Sequence, residues 1–340
     1  MSDSTDETEV LRARPGGFTI QPIGPFSWAQ AVDGLMHWAP VSRFAEGSTD
    51  PVRLAFPLDR SFVPVAVALR ERDGSLEGEV AGSDDVLAAG RQVARMFGLD
   101  QDATGLAAAG DRDPALKPVL EALAGLRQVC FSSPYEAAAW GIISQRISKR
   151  QAAAIQARLI AAQGHRLEVA GGEVWSFPSP ERLLEVTEVP GLAGVKVERL
   201  HGVARAALSG LLDAESLLAM GEEAAVASLR RIPGIGEFWA SGIYLRGCAA
   251  VDSFPDEPLS IAALGVLHGL GEQPDPAEVR RLTDLYRPYR MWVCYLLRVA
   301  AARGIIPGIS GREMAIRRAP RTGPPRTDPG AGGLPGLGPL

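Results

Sequence analysis

The segment Leu229-Arg-Arg-Ile-Pro-Gly-Ile-Gly-Glu-Phe-Trp-Ala240 decides how this chain is read. It has the form of one helix ending, a tight turn over Pro233-Gly-Ile-Gly236, and a second helix beginning. Gly234 and Gly236 carry no Cβ, so the backbone can take left-handed dihedrals and another backbone can come close. The first N–H groups of the second helix have no partner within it and point outward, a ready site for an anion such as a DNA phosphate. Ile232 and Ile235 are spaced to pin the two helices together. An ordinary helix–turn–helix corner in a protein core has the same pattern, so the surrounding residues must decide.

Working outward, the chain of 340 residues is 46% hydrophobic, enough for a substantial core. No apolar run approaches the ~20 residues of a membrane span. The start, Met1 to Glu9, is acidic and polar, unlike a secretory signal. Cys130, Cys248 and Cys294 are isolated and His37, His165, His201 and His268 are scattered, so no disulfide framework, metal site or cofactor is expected. A cytoplasmic location follows as the expectation. The net charge of -5 does not itself favour nucleic acid. Charge is uneven, however: from Arg280 to Arg326 eleven arginines face two acids, Asp284 and Glu313. A local basic face can hold phosphates on an acidic protein, because salt limits the relevant field to ~10 Å. A solvated basic surface would look the same.

Residues 1–16 read as a disordered leader and 17–112 as an α+β amino-terminal domain. Val65, Val67 and Leu69 alternate along a strand, and Asp73-Gly74 predicts a hairpin before Leu76–Val80. A helix is expected over Asp85–Phe97, then a mostly helical body over 113–311. The tail, 312–340, is rich in Pro, Gly and Arg and reads as disordered. In the body, Ser133-Pro-Tyr-Glu136 has the form of a capping box. Ser144-Gln-Arg-Ile-Ser148 interrupts the helical pattern, and a second helix runs over Lys149–Gln163 to Gly164. Gln145 and Arg146 there are a surface turn or a probe presented between two helices.

In this ordered set of pieces the chain resembles the helix-hairpin-helix DNA glycosylases of base-excision repair, most of all their AlkA type, over about residues 18–304. Phe131–Leu159 is similar to the family's helix–probe–helix, with Gln145, Arg146 and Ser148 on its Gln, wedge and Ser positions. Phe177–Leu183, the helix pair Gly191–Leu208 with Lys196, the hairpin Pro233–Gly236 and Tyr286–Trp292 follow in family order.

The resemblance implies a mostly helical glycosylase fold with an extra amino-terminal sheet. It implies duplex DNA carrying a damaged base as the partner, with no obligate protein partner. DNA contacts would come from Gly234, Ile235, Gly236, Gln145, Arg146, Ser148 and Lys196. The base pocket would be lined by Phe238, Trp239, Trp140, Tyr286 and Trp292, each of which core packing would also explain. The family's catalytic aspartate lies in the loop after the hairpin. Here that loop reads Val251-Asp-Ser-Phe-Pro-Asp-Glu-Pro-Leu259, which puts Glu257 on the catalytic position with Asp256 beside it. A carboxylate one methylene longer leaves three outcomes open: Glu257 acts, Asp256 acts through a shift of one residue, or the protein binds lesions with little or no catalysis. Strand-cleaving members place a lysine two residues after the second hairpin glycine; Phe238 stands there, so a monofunctional enzyme leaving an abasic site is expected. The implied substrates are alkylated purines.

Overall fold

The computed structural model describes residues 10–36, 38 and 50–309. The tail expected at 312–340 and residues 1–9 of the expected leader lie outside them. Five strands, β1 (Leu11–Arg14), β2 (Gly17–Ile20), β3 (Val52–Pro57), β4 (Pro64–Arg72) and β5 (Ser75–Ala81), form an antiparallel sheet in the order β1–β2–β5–β4–β3. Strand β4 accounts for its two-sided packing, because successive side chains leave opposite faces. Val65, Val67 and Leu69 join Phe18, Leu54 and Val93 in one apolar cluster. Ala66 and Ala68, on the other face, pack with Val169 and Val174. Asp73 and Gly74 both have positive φ, 50° and 77°, as a two-residue hairpin with native twist requires.

Helices α1 (Trp28–Met36) and α2 (Val86–Phe97) contribute Leu35, Val93 and Phe97 to the first cluster. The Asp85 carboxylate accepts from the Ala88 N–H to start α2, and Gly98 at φ 61° ends it. One expectation is corrected here. The leader does not extend to residue 16, because Leu11–Arg14 pairs in register with Gly17–Ile20. The chain reverses through Gly16 at φ 70°, and the Leu11 side chain packs close to Gly90 of α2.

The body comprises α3 (Ala107–Arg112), α4 (Lys117–Ala122), α5 (Pro134–Ile143), α6 (Lys149–Gln163), α7 (Pro180–Leu184), α8 (Gly194–Leu208), α9 (Ala214–Met220), α10 (Glu222–Leu229), α11 (Glu237–Gly247), α12 (Pro258–Leu267), α13 (Pro276–Asp284) and α14 (Arg290–Ala302). A hairpin, β6 (His165–Val169) and β7 (Gly172–Ser176), follows α6 and lies on the alanine face of the sheet. Arg53 fastens it by donating to the carbonyls of Val169 and Ala170 at 3.1 and 2.8 Å. Helix α5 is buried along its whole length, which its nearly uninterrupted apolar sequence allows. Around it pack α6, α8 and α11.

A second body cluster unites Ala109 and Leu116 with Leu282, Tyr286 and Val293. The domain border expected between residues 112 and 113 therefore falls inside one packed unit. The capping box expected at Ser133 is half made. Ser133 Oγ accepts from the Glu136 N–H at 3.2 Å, while the Glu136 carboxyl is buried with Oε1 unpaired. The complete box is at Ser148 and Gln151, at the start of α6.

Candidate nucleic-acid interface and active site

Helices α10 and α11 form the expected hairpin. Ile232 and Ile235 are buried in the body core, so Ile235 can offer a ligand its backbone only. Gly234 sits at φ +87°, where a Cβ would lie 2.5 Å from Arg199 Cδ. Gly236 caps α11 with no side-chain hydrogen bond, and the space where its Cβ would be is open. The first turn of α11 therefore presents its N–H groups to solvent with room for an approaching backbone.

The turn between α5 and α6 is bound to this hairpin. Gln145 Nε2 donates to the Gly234 carbonyl at 2.8 Å, and Arg199 donates to Gln145 Oε1 at 3.3 Å. Lys196 Nζ donates to the carbonyls of Ile143 and Gln145 at 2.9 and 2.7 Å. Partial burial lowers the Lys196 pKa, and the Arg199 charge adds to that. Ser148 Oγ accepts from the Gln151 N–H. Of the expected DNA contacts, Gln145 thus spends its amide on joining the two turns, Lys196 its amine on the α5–α6 turn, and Ser148 its hydroxyl on capping α6. Arg146 differs: it is exposed, in the left-handed region at φ 58°, and its guanidinium has no partner among the described residues.

The five aromatic residues do not form one pocket. Phe238, 71% exposed, stands at the start of α11, with its ring edge-on to Trp239 at 5.4 Å. Trp239 is half-buried and lies against Gly141. The other three lie buried in the core. Trp140 is buried within α5. Tyr286 is fully buried and donates its hydroxyl to Asp113 at 2.6 Å, an acceptor shared with His268. Trp292 is buried between Tyr289, stacked at 5.5 Å, and the Arg127 guanidinium, also at 5.5 Å. Arg127 is itself fixed by carbonyls of Ile23, Pro25 and Gly98.

The loop after α11 holds three acids in three different settings. Asp252 is clamped by Arg287 and Arg290 at 2.8 and 2.7 Å, on the wall of a cleft of about 390 Å³ that Tyr244 and Glu222 also line. Neither Glu257 nor Phe238 lines that cleft. Asp256 is exposed. Glu257 is the N-cap of α12: Oε2 accepts from the Ser260 N–H at 2.7 Å and the Ser260 hydroxyl at 2.8 Å, while Oε1 lies 3.9 Å from Arg298. Ser260 in turn donates to the Cys294 carbonyl, which ties this acid to α14. A carboxylate at a helix N-terminus faces the positive end of the dipole.

The arginine-rich stretch is less free than its sequence implies. Arg281 pairs with Glu278, Arg287 and Arg290 with Asp252, and Arg303 with Asp33. Exposed pairs of this kind contribute little stability, but they lower the local positive field. Among the described residues no group of three His, Cys, Asp or Glu side chains could hold a metal. The cysteine thiols are buried, and desolvation raises their pKa values, Cys130 to about 11. No helix among the described residues is long and apolar enough to cross a membrane. Two residues that the sequence did not single out, Arg199 and Asp252, hold central positions; spacing carried no signal for either.

No family model matches the chain. It is 28% identical over 211 residues to a DNA-3-methyladenine glycosylase of Bacillus subtilis, covering 60% of this chain and 68% of the relative. It is 30% identical over 174 residues to DNA-3-methyladenine glycosylase 2 of Escherichia coli, covering 49% of this chain and 58% of that one. The solved structure of a 3-methyladenine DNA glycosylase from Archaeoglobus fulgidus has the same fold, with TM-score 0.67 and 23% identity over 83% of this chain and 97% of the other. With the hairpin and the turn before α6 in the same order, the chain is similar to the AlkA-type helix-hairpin-helix DNA glycosylases and has their fold.

Proposed function

We propose that this protein is a monofunctional DNA glycosylase that hydrolyses the N-glycosidic bond of an alkylated purine withdrawn from duplex DNA. The observation that carries the reading is the start of α11: an uncapped helix N-terminus at Gly236, open to a phosphate, with Phe238 71% exposed beside it. A phosphate on the α11 amides fixes the duplex. Arg146 projects from the neighbouring turn toward the space a withdrawn base leaves, and Phe238 offers a ring face to the base. An alkylated purine is cationic, so an aromatic face favours it over a normal base.

As the glycosidic bond lengthens, the sugar becomes cationic and a fixed anion lowers the barrier. At about 4 Å and an effective dielectric near 20, such a pair is worth roughly 4 kcal/mol, about three powers of ten in rate. Glu257 is our candidate. Oε2 is held by Ser260, which fixes the carboxylate, and Oε1 makes no bond to that cap and lies 3.9 Å from Arg298. The purine departs as a neutral base with the bonding pair, water adds to the sugar cation, and the proton that water loses passes to Glu257 or to solvent. The lysines of the chain are Lys117, Lys149 and Lys196, and the amine of Lys196 is bound to two carbonyls. None stands beside Phe238 in sequence, which supports base removal without strand cleavage. Specific observations on Glu257 also favour a second reading: its capping bonds and Arg298 leave a lesion-binding protein with weak catalysis as the alternative.

The test is incubation with a duplex carrying one alkylated purine, followed by chromatography of the released base. Free base, with strands that break only after alkali, is the expected result. Tight binding with no released base would replace the enzyme by the lesion binder.

A further inference from the structure

Glu257 does not stand alone at the start of α12. Arg298 extends from α14 one turn after Cys294, and its Nε lies 3.9 Å from Glu257 Oε1. Oε2 is held by Ser260, whose hydroxyl donates to the Cys294 carbonyl at 2.9 Å. Helix α14 thus fixes both the acid and a cation beside it. Among the described residues Arg298 has no other ion-pair partner. Arg246, a second guanidinium of this region, is committed elsewhere: it donates to the Val129 carbonyl and lies over the Trp38 ring at 4.3 Å. The buried Cys294 thiol feels both members of the pair. Burial pushes its pKa up to about 12, Glu257 adds to the rise, and Arg298 opposes it.

We infer that Arg298 moves the selectivity of base release from cationic toward neutral damaged purines. This rests on Glu257 being the acid of the glycosylase reading above. A sugar within about 4 Å of Oε1 has the guanidinium within roughly 8 Å, and the base is attached to that sugar. When the glycosidic bond breaks, the bonding pair goes to the base and the sugar is left positive. A cationic purine becomes neutral in that step. A neutral purine becomes an anion, which the guanidinium attracts. Water then adds to the sugar and gives its proton to Glu257 or to solvent, while the anionic base takes a proton from solvent. The pair of Glu257 and Arg298 thus answers both charges of that state, where a lone carboxylate answers only the sugar. A unit charge at roughly 8 Å and an effective dielectric near 20 changes a rate about thirtyfold. The Arg298 side chain is 39% exposed, so solvent cuts this to about tenfold.

The experiment uses the full chain and two duplexes, one carrying neutral hypoxanthine and one carrying cationic 7-methylguanine, each opposite dC. Both purines have a carbonyl at C6, so charge is the main difference between them. The duplexes compete in one tube. The ratio of the two released bases is then the ratio of their kcat/KM, and contacts to the shared backbone cancel. Arg298→Leu should lower hypoxanthine release relative to 7-methylguanine about tenfold, with melting nearly unchanged, because the pair is partly exposed. Arg298→Lys, which keeps the charge, should keep the wild-type ratio. An unchanged ratio in Arg298→Leu would overturn the inference, since a merely structural role lowers both rates together. So would an equal shift in Arg298→Lys, which marks the shape of the side chain and not its charge. Release of 7-methylguanine with no hypoxanthine from the wild type would also overturn it and leave the glycosylase reading standing. Release of neither base would remove that reading and this inference with it.

Discussion

Gln145 Nε2 lies 2.8 Å from the carbonyl oxygen of Gly234, joining residues 89 apart in sequence. Through this bond the turn that carries Arg146 is tied to the turn between α10 and α11. Replacing Gln145 by Ala removes the bond and frees Arg199 as well. A single hydrogen bond is worth about 1 kcal/mol, a shift of roughly 1–2 °C in melting temperature for a chain of this size. Loss of DNA affinity should exceed what that modest loss of stability explains. Thermal melting and filter binding on the same preparation measure both.

The two hairpin glycines should behave differently. Gly234→Ala puts a Cβ 2.5 Å from Arg199 Cδ and 3.1 Å from Ile142 Cδ1, in a left-handed conformation. It should cost about 1–3 kcal/mol of stability. Gly236 has φ -90° and open space around it, so Gly236→Ala should fold as well as the wild type. Its added methyl meets only an approaching ligand. Weakened DNA binding with unchanged melting would therefore mark Gly236 as part of the interface.

The aromatic residues divide the same way. Phe238 is exposed, so Phe238→Ala should leave melting nearly unchanged and lower discrimination between alkylated and normal purines. Trp292 is buried against Arg127 and Tyr289, and Trp292→Ala should cost about 3–5 kcal/mol. Chemical denaturation and a competition assay with undamaged duplex separate the two.

Much of the framework was legible in the chain. Asp73-Gly74, Asp85 and Gly98 act locally, through dihedrals and caps, and local chemistry is what a single sequence displays. Strand β1 was not legible. Arg12 and Arg14 look like part of a polar leader, and only pairing with β2, itself held by β5, makes them a strand. The β6–β7 hairpin was missed although Leu167, Val169 and Val174 alternate with Arg166, Glu168 and Glu173; each strand is only five residues long, and the alanine face that receives its apolar side lies about a hundred residues earlier. The hairpin glycines and Arg146 were found by motif. The clamp around them was not, because Arg199 reaches Gln145 across 54 positions. Tyr286 and Trp292 looked like pocket residues because sequence does not show Asp113 or Arg127 beside them.

Glu136 predicts a pH effect. Burial pushes its carboxyl from an ordinary value of 4.5 up to about 7, against a smaller opposing effect of the Ser132 hydroxyl. Above pH 4.5 the unfolded chain releases this proton while the folded chain keeps it, so stability falls as pH rises toward 7. The loss should reach about 3 kcal/mol. Asp213, lowered to about 2 chiefly by its bond to Arg60, acts in the opposite sense but at lower pH. Urea unfolding at pH 4.5 and 8 should show the fall in the wild type and a clearly smaller one in Glu136→Gln.

The central claim is that Glu257 supplies the anion that base release requires. Glu257→Gln keeps an oxygen for the Ser260 bonds and removes the charge. The decisive measurement is the single-turnover rate of free-base release from a duplex containing 7-methylguanine, wild type against Glu257→Gln, with affinity for an abasic-analogue duplex measured alongside. The account predicts a rate at least about a hundredfold slower at similar affinity. Equal rates in the two proteins would contradict it.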